Sequence, residues 1–161
     1  MKKLSIIIPT YNEAKTIDTV LTRVFGVELP GWQKEVIVVD DGSKDDTRMK
    51  LKKWEKKVTL IISDKNQGKG SAVTKGLRMA KGDIVLIQDA DLEYSPSDYP
   101  VLLSPFENPQ VYAVYGSRFL GAHLSTMFVY ALGNKFVTLV TNILYNTNIC
   151  LLYTSDAADE E

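Results

Sequence analysis

The sequence predicts a three-layer α/β fold: a mostly parallel sheet with helices on both faces. Three observations point to it. Short aliphatic runs alternate with stretches of helical spacing along residues 4–115. Several runs are apolar at consecutive positions, as strands buried on both sides are. Four of them end in polar clusters, as strands do when they deliver side chains to one edge of a parallel sheet.

Each element has its own reason. Residues 4–8 read as strand one. Residues 13–25 place Ile17, Val20, Leu21, Val24 and Phe25 on one stripe, the spacing of an amphipathic helix. Gly31 falls in the turn that follows. Residues 34–39 are strand two, ending at Asp40-Asp41-Gly42-Ser43, and 45–56 form a charged helix. Residues 58–63 are strand three and 66–70 a glycine-bearing loop. Residues 71–80 form a helix that Gly82 closes. Residues 84–88 are strand four. Residues 97–106 form a short helix entered through Pro96, since proline suits a first helical turn. Residues 111–115 are strand five, ending at Gly116-Ser117-Arg118.

From Leu124 the character changes. Residues 124–146 carry apolar side chains in two amphipathic segments interrupted at Gly133-Asn134-Lys135. They suit helices packed on protein, or helices lying in a membrane interface, although their polar faces hold few Lys or Arg. Residues 150–161 break the pattern and resemble a translated sequencing adapter. We expect 1–149 to be one domain cut near Ile149, and 150–161 to be a non-native tail outside fold reasoning.

Composition narrows the function. A chain of 161 residues is long enough for one domain with a real core. The formal net charge of −1 gives no global reason to bind nucleic acid. A 45% hydrophobic and 24% charged make-up is ordinary for a folded domain. The one cysteine, Cys150, excludes an internal disulfide and fits a reducing, cytoplasmic setting. The apolar run before Pro9 is too short for a signal peptide, and no uninterrupted apolar stretch reaches membrane-spanning length.

In a parallel sheet the four clusters share one edge and converge: Pro9-Thr10-Tyr11-Asn12-Glu13, Asp40-Asp41-Gly42-Ser43, Asp89-Ala90-Asp91-Leu92-Glu93 and Gly116-Ser117-Arg118. Asp89 and Asp91 stand one residue apart just after a strand. If the chain stays extended they point the same way, and Glu93 keeps their parity. Close carboxylates repel unless a cation sits between them. Hard oxygen donors beside a diphosphate suit Mg²⁺ or Mn²⁺. Asp41 can accept hydrogen bonds from a base or ribose, and Tyr11 can supply a stacking wall. Asp40-Asp41-Gly42-Ser43 also reads as a turn with one aspartate capping the next helix. Asn66-Gln67-Gly68-Lys69-Gly70 either cradles phosphate through Lys69 or is a tight turn, and it lacks the Gly-Lys-Ser/Thr ending of a P-loop. Arg118 is a fork of donors suited to phosphate or to an exposed ion pair. His123, the one histidine, has no obvious nucleophile partner.

Together these motifs resemble family 2 glycosyltransferases of the Rossmann-like GT-A fold, and within them the dolichol- and polyprenyl-phosphate mannose synthases and their glucosyl relatives. The resemblance covers residues 4–149, which it makes a glycosyltransferase domain. It implies that Pro9, Tyr11, Glu13, Val39 and Asp41 line the nucleoside pocket. It implies that Asp89 and Ala90 contact the nucleotide-sugar and that Asp91, with Asp89 and Glu93, holds Mg²⁺ or Mn²⁺. Asp91 and Arg118 become the catalytic pair, with Arg118 on donor or acceptor phosphate. The implied partners are a nucleotide-sugar donor (GDP-mannose or a UDP-sugar) and a polyprenyl-phosphate acceptor. Peripheral contact at the cytoplasmic face of a membrane follows from that acceptor. Relatives often carry glutamine where Glu93 stands, and several carry an arginine where Tyr130, Ala131 and Leu132 stand. A nucleotidyltransferase would instead carry a glycine- and arginine-rich loop after strand one. A nucleotide-binding fragment without turnover is the noncatalytic alternative.

Overall fold

Four parallel strands form the sheet, in the order β3-β2-β1-β4. In this computed structural model residues 1–114 and Gly116 are described. They comprise β1 (Lys2–Thr10), α1 (Ile17–Gly26), β2 (Trp32–Asp40), α2 (Thr47–Leu51), β3 (Thr59–Ile62), α3 (Lys69–Met79), β4 (Ile84–Ile87) and α4 (Tyr99–Leu103), with short 3-10 turns after α2 and on both sides of α4. Arg118, His123, the 124–146 segments and the 150–161 tail lie outside the described residues. No described helix is long and apolar enough to cross a membrane.

β1 is the centre. It pairs with β2 from Lys2↔Trp32 to Thr10↔Asp40 and with β4 from Leu4↔Ile84 to Ile7↔Ile87. Alternation along the strands divides its buried side chains between two layers. Leu4, Ile6, Ile8, Val36 and Val38 meet Ile17, Val20, Leu21 and Val24 of α1, Leu51 of α2, and Tyr99 and Leu103 of α4. On the other face Ile37 and Val39 meet Ala72 of α3. Helices therefore cover both faces, as the alternation predicts.

Gly76 sets how closely α3 approaches. A Cβ there would lie 2.5 Å from Ile7 Cγ2. The chain runs outward from β1 to β2 to β3, then returns through α3 to the opposite side of β1. That reversal puts the topological switch point at the carboxyl ends of β1 and β4, the place where open α/β sheets bind ligands in a crevice.

Four local expectations change. The first helix starts at Ile17 instead of residue 13 because Asn12 is left-handed (φ 54°) and residues 12–14 are tied to the loop after β2. The charged helix is α-helical only over Thr47–Leu51 and tightens to a 3-10 turn at Lys52–Trp54. Like charges at Lys52, Lys53, Lys56 and Lys57 stand three and four apart, which disfavours a longer helix. Trp54 instead stacks on Phe25 at 5.6 Å and donates from Nε1 to Asp18 Oδ1 at 3.0 Å. Gly82 does not close α3, whose last turn ends at an extended Ala80. It lets β1 come close: a Cβ would sit 2.6 Å from Ser5 N and 2.8 Å from Lys3 O. Strand five is not formed over the described residues 111–114. The Val111 amide donates to Asn108 O at 3.0 Å, closing a turn and removing a donor from any ladder.

Candidate functional site

The loop after β1 is bolted to the loop after β2. Asp41 N donates to Thr10 O at 2.9 Å, Asn12 N to Ser43 Oγ at 2.9 Å, and Lys44 N to Asn12 Oδ1 at 2.8 Å. Ala14 N adds a bond to Asp45 Oδ2 at 3.1 Å. Gly42 makes the turn possible: its φ is +83°, and a Cβ would meet Asn66 N and Lys65 C at 2.6 Å. The loop after β3 thus lies directly on the loop after β2.

The adjacent aspartates do different work. Asp40 is fully buried and accepts from Arg48 Nε at 2.7 Å and Ser43 N at 3.3 Å. Arg48 also reaches Ser63 O at 2.6 Å. Asp40 is therefore a structural ion pair. Neither it nor Asp41 caps α2. That work falls to Asp45, whose Oδ1 accepts from Thr47 N at 3.0 Å. Asp41 is 2% exposed and its Oδ2 accepts from Gln67 N at 2.7 Å. Its Oδ1 is buried without a hydrogen-bond donor, 3.6 Å from the Lys75 ammonium. A buried carboxylate oxygen lacking a donor is costly, and Asp40 Oδ1 is buried without one as well.

The acidic turn after β4 is not extended. Leu92 is left-handed (φ 69°), and Asp91 Oδ1 accepts from Glu93 N at 2.9 Å. Glu93 therefore does not continue the parity of Asp89 and Asp91. Gln88, 2% exposed, fixes the turn from below. Its Nε2 donates to Asp89 O at 2.9 Å and Tyr94 O at 3.1 Å, while its Oε1 accepts from Tyr99 OH at 2.8 Å. Burial pushes the Tyr99 phenol far up, so it stays a donor. Asp91 and Glu93 face solvent. Asp89 has a side chain 14% exposed and is held by Lys69 Nζ at 2.8 Å from each oxygen.

Electrostatics join the loops. The Glu13 carboxyl is raised, first by burial and then by the charges of Asp91, Asp45 and Asp89, against a lowering hydrogen bond from Thr16 Oγ1 at 2.5 Å. Glu13 therefore shares one field with both acids of the turn. Tyr11 is half-buried beside it. Pro9 and Val39 are register partners beneath the site, both buried, and Val39 packs against Ala72. Ala90 is in the main core at 4% exposure.

Among the described residues no three acids, histidines or cysteines are close enough to cage an ion. Mg²⁺ seldom uses such a cage. It takes one or two carboxylates and completes its shell with substrate phosphate and water. Solvent-facing Asp91 beside Asp89 fits that donor set. The sequence reading gave no role to Gln88, Tyr99, Asp45 or Lys75, and named Ser43 only as part of its cluster. Only Asn12 carried a signal, since asparagine is enriched at positive φ.

The chain matches the model of "Glycosyl transferase family 2" over residues 5–138. It is 38% identical over 120 residues to a dolichol-phosphate mannosyltransferase of Pyrococcus furiosus, covering 73% of this chain and 34% of that protein. It is 34% identical over 123 residues to an undecaprenyl-phosphate 4-deoxy-4-formamido-L-arabinose transferase of Proteus mirabilis, covering 73% and 37%. The chain thus spans about a third of the length of these curated relatives. A mannosyltransferase of Pyrobaculum calidifontis, solved with GDP-Man and Mn²⁺, superposes with a TM-score of 0.54 at 35% identity over 59% of this chain and 29% of that one. Glucosyl-3-phosphoglycerate synthase of Mycobacterium tuberculosis, solved with Mn²⁺, UDP and product, gives 0.55 at 28% identity over 65% and 39%. Both solved transferases share the parallel GT-A sheet. The matched span contains every described strand end that carries the acids, and on that ground the chain belongs to glycosyl transferase family 2.

Proposed function

We propose that this protein moves a hexose, mannose in the first instance, from a nucleoside-diphosphate sugar to a polyprenyl or dolichyl phosphate, inverting the anomeric carbon. The observation that carries this reading is the gathering of Glu13, Asp89 and Asp91 at the carboxyl ends of β1 and β4, with Asp41 at the end of the neighbouring β2. The relatives, a dolichol-phosphate mannosyltransferase among them, support the lipid phosphate and the mannose. Such work would be done at the cytoplasmic face of a membrane, where that acceptor is presented.

Asp41 Oδ1 takes a donor from the nucleoside, and Tyr11 walls the base. Asp91, with Asp89 beside it and Glu93 two residues on, would hold a divalent ion, Mg²⁺ or Mn²⁺, which would offset charge on the leaving diphosphate. Arg118, outside the described residues, would add a permanent positive charge for phosphate. A phosphate acceptor has a second pKa of about 6 and attacks as a dianion without a general base. A UDP-sugar donor is the second reading, supported by the UDP-bound relative.

Calorimetric titration of GDP and UDP, with and without Mn²⁺, tests the donor half. Nucleotide binding should depend on Mn²⁺, and Asp91→Ala should weaken it at least about tenfold, the scale on which metal-site residues act. Undiminished binding in excess chelator would overturn the scheme. A donor screen on the gene product separates mannose from glucose.

A further inference from the structure

We propose that Lys69 is a resident counter-ion of Asp89, which a divalent cation and a nucleoside diphosphate displace together. The inference rests on the donor-site reading above and adds a role for the loop after β3. Lys69 opens α3, across the crevice from the acidic turn. Its ammonium lies 2.8 Å from both oxygens of Asp89, so each carboxylate oxygen already has a cation beside it. A cation binding Asp89 would share its oxygens with an ammonium of like charge. That like charge opposes a second cation at Asp89 until the lysine moves away.

Lys69 is able to leave. Its side chain is 45% exposed, while that of Asp89 is 14% exposed. The ammonium is thus the solvent-side partner, on a flexible four-carbon stem. The remaining acids show why a counter-ion is needed. The charges of Asp91, Asp45 and Asp89 each act on Glu13 and add to burial in raising its carboxyl. Metal alone must break the Lys69–Asp89 pair without giving the ammonium a new partner. Metal with diphosphate supplies one in the same crevice. Nucleotide and metal therefore assist each other, and the assistance is reciprocal.

The test compares Lys69→Met, Lys69→Gln and Lys69→Arg with the unsubstituted chain. Mn²⁺ affinity is read by electron paramagnetic resonance, GDP affinity by calorimetry, and folding by circular dichroism. Both neutral variants should bind Mn²⁺ about tenfold more tightly without nucleotide, because a like charge has gone. They should bind GDP about tenfold more weakly with Mn²⁺ present, so the factor by which GDP tightens Mn²⁺ shrinks. Lys69→Arg should keep the weak nucleotide-free Mn²⁺ binding. A lysine that merely supports the fold would weaken both ligands together. Unchanged or weakened nucleotide-free Mn²⁺ binding in folded Lys69→Met and Lys69→Gln overturns the counter-ion role alone. If GDP does not tighten Mn²⁺ binding to the unsubstituted chain, the donor-site reading has failed and the counter-ion role with it.

Discussion

Glu35 holds the amino-terminal edge of the sheet together, and replacing it with glutamine should loosen that edge in a pH-dependent way. Its Oε1 takes the Lys3 ammonium at 2.7 Å, and its Oε2 takes Ser5 Oγ at 2.6 Å and Lys81 N at 2.8 Å. Ser5 Oγ in turn accepts from Gly82 N at 2.8 Å, which pins the turn entering β4 onto β1. Burial alone would raise this carboxyl. Bonds from Lys3, Ser5 and Lys81, with the charge of Lys3, outweigh it and hold the group down from 4.5 to about 2. At about 1.4 kcal/mol per unit the ceiling is about 3 kcal/mol. The side chains of Lys3 and Glu35 are 30% and 16% exposed, so solvent screening reduces the expected contribution to about 1.5 kcal/mol.

The sign follows from the depressed value. The contribution is complete above 4.5 and disappears as pH falls toward 2. Urea unfolding of Glu35→Gln beside the parent should therefore show a gap of about 1.5 kcal/mol at neutral pH that narrows steadily in acid. A gap that stays constant down to the acid limit of folding, or no gap at neutral pH, would refute the reasoning.

Three further outcomes follow from the packing and the charges. Gly76→Ala should cost about 1–3 kcal/mol in urea unfolding, because its methyl would lie 2.5 Å from the Cγ2 of a fully buried, β-branched Ile7. Arg48→Met should cost about 3 kcal/mol, since it strands the carboxylate of Asp40, which is 0% exposed. Glu13→Gln should make the protein slightly more stable at neutral pH and erase that gain in acid, because a raised carboxyl disfavours folding only while ionised. The same variant should weaken nucleotide binding by calorimetry, which separates a ligand contact from a purely structural acid.

The α/β architecture was legible because its signals are strong and local. Ile6, Ile7 and Ile8 in succession can only be buried on both sides of a strand, and Ile17, Val20, Leu21 and Val24 keep strict helical spacing. Acids at strand ends were legible for the same reason, since a parallel sheet leaves them one common edge. What failed was anything decided by a distant partner. Nothing around Gly82 in the sequence announces Ser5, 77 positions away. Asp40 and Asp41 are chemically identical and adjacent, yet Arg48 claims one while the Gln67 amide of the loop after β3 claims the other. The shape of residues 89–94 depends on Leu92 turning left-handed, which no aliphatic side chain advertises.

The amide of Gln88 carries a wider implication. It ties the turn bearing Asp89 and Asp91 to a phenol on α4, a helix whose other buried side chain, Leu103, belongs to the main core. Alignment of the acids is thereby inherited from hydrocarbon packing well beneath them. Substitutions in α4 that disturb how Tyr99 seats should alter affinity for charged ligands at the crevice, and a survey confined to its rim would overlook them.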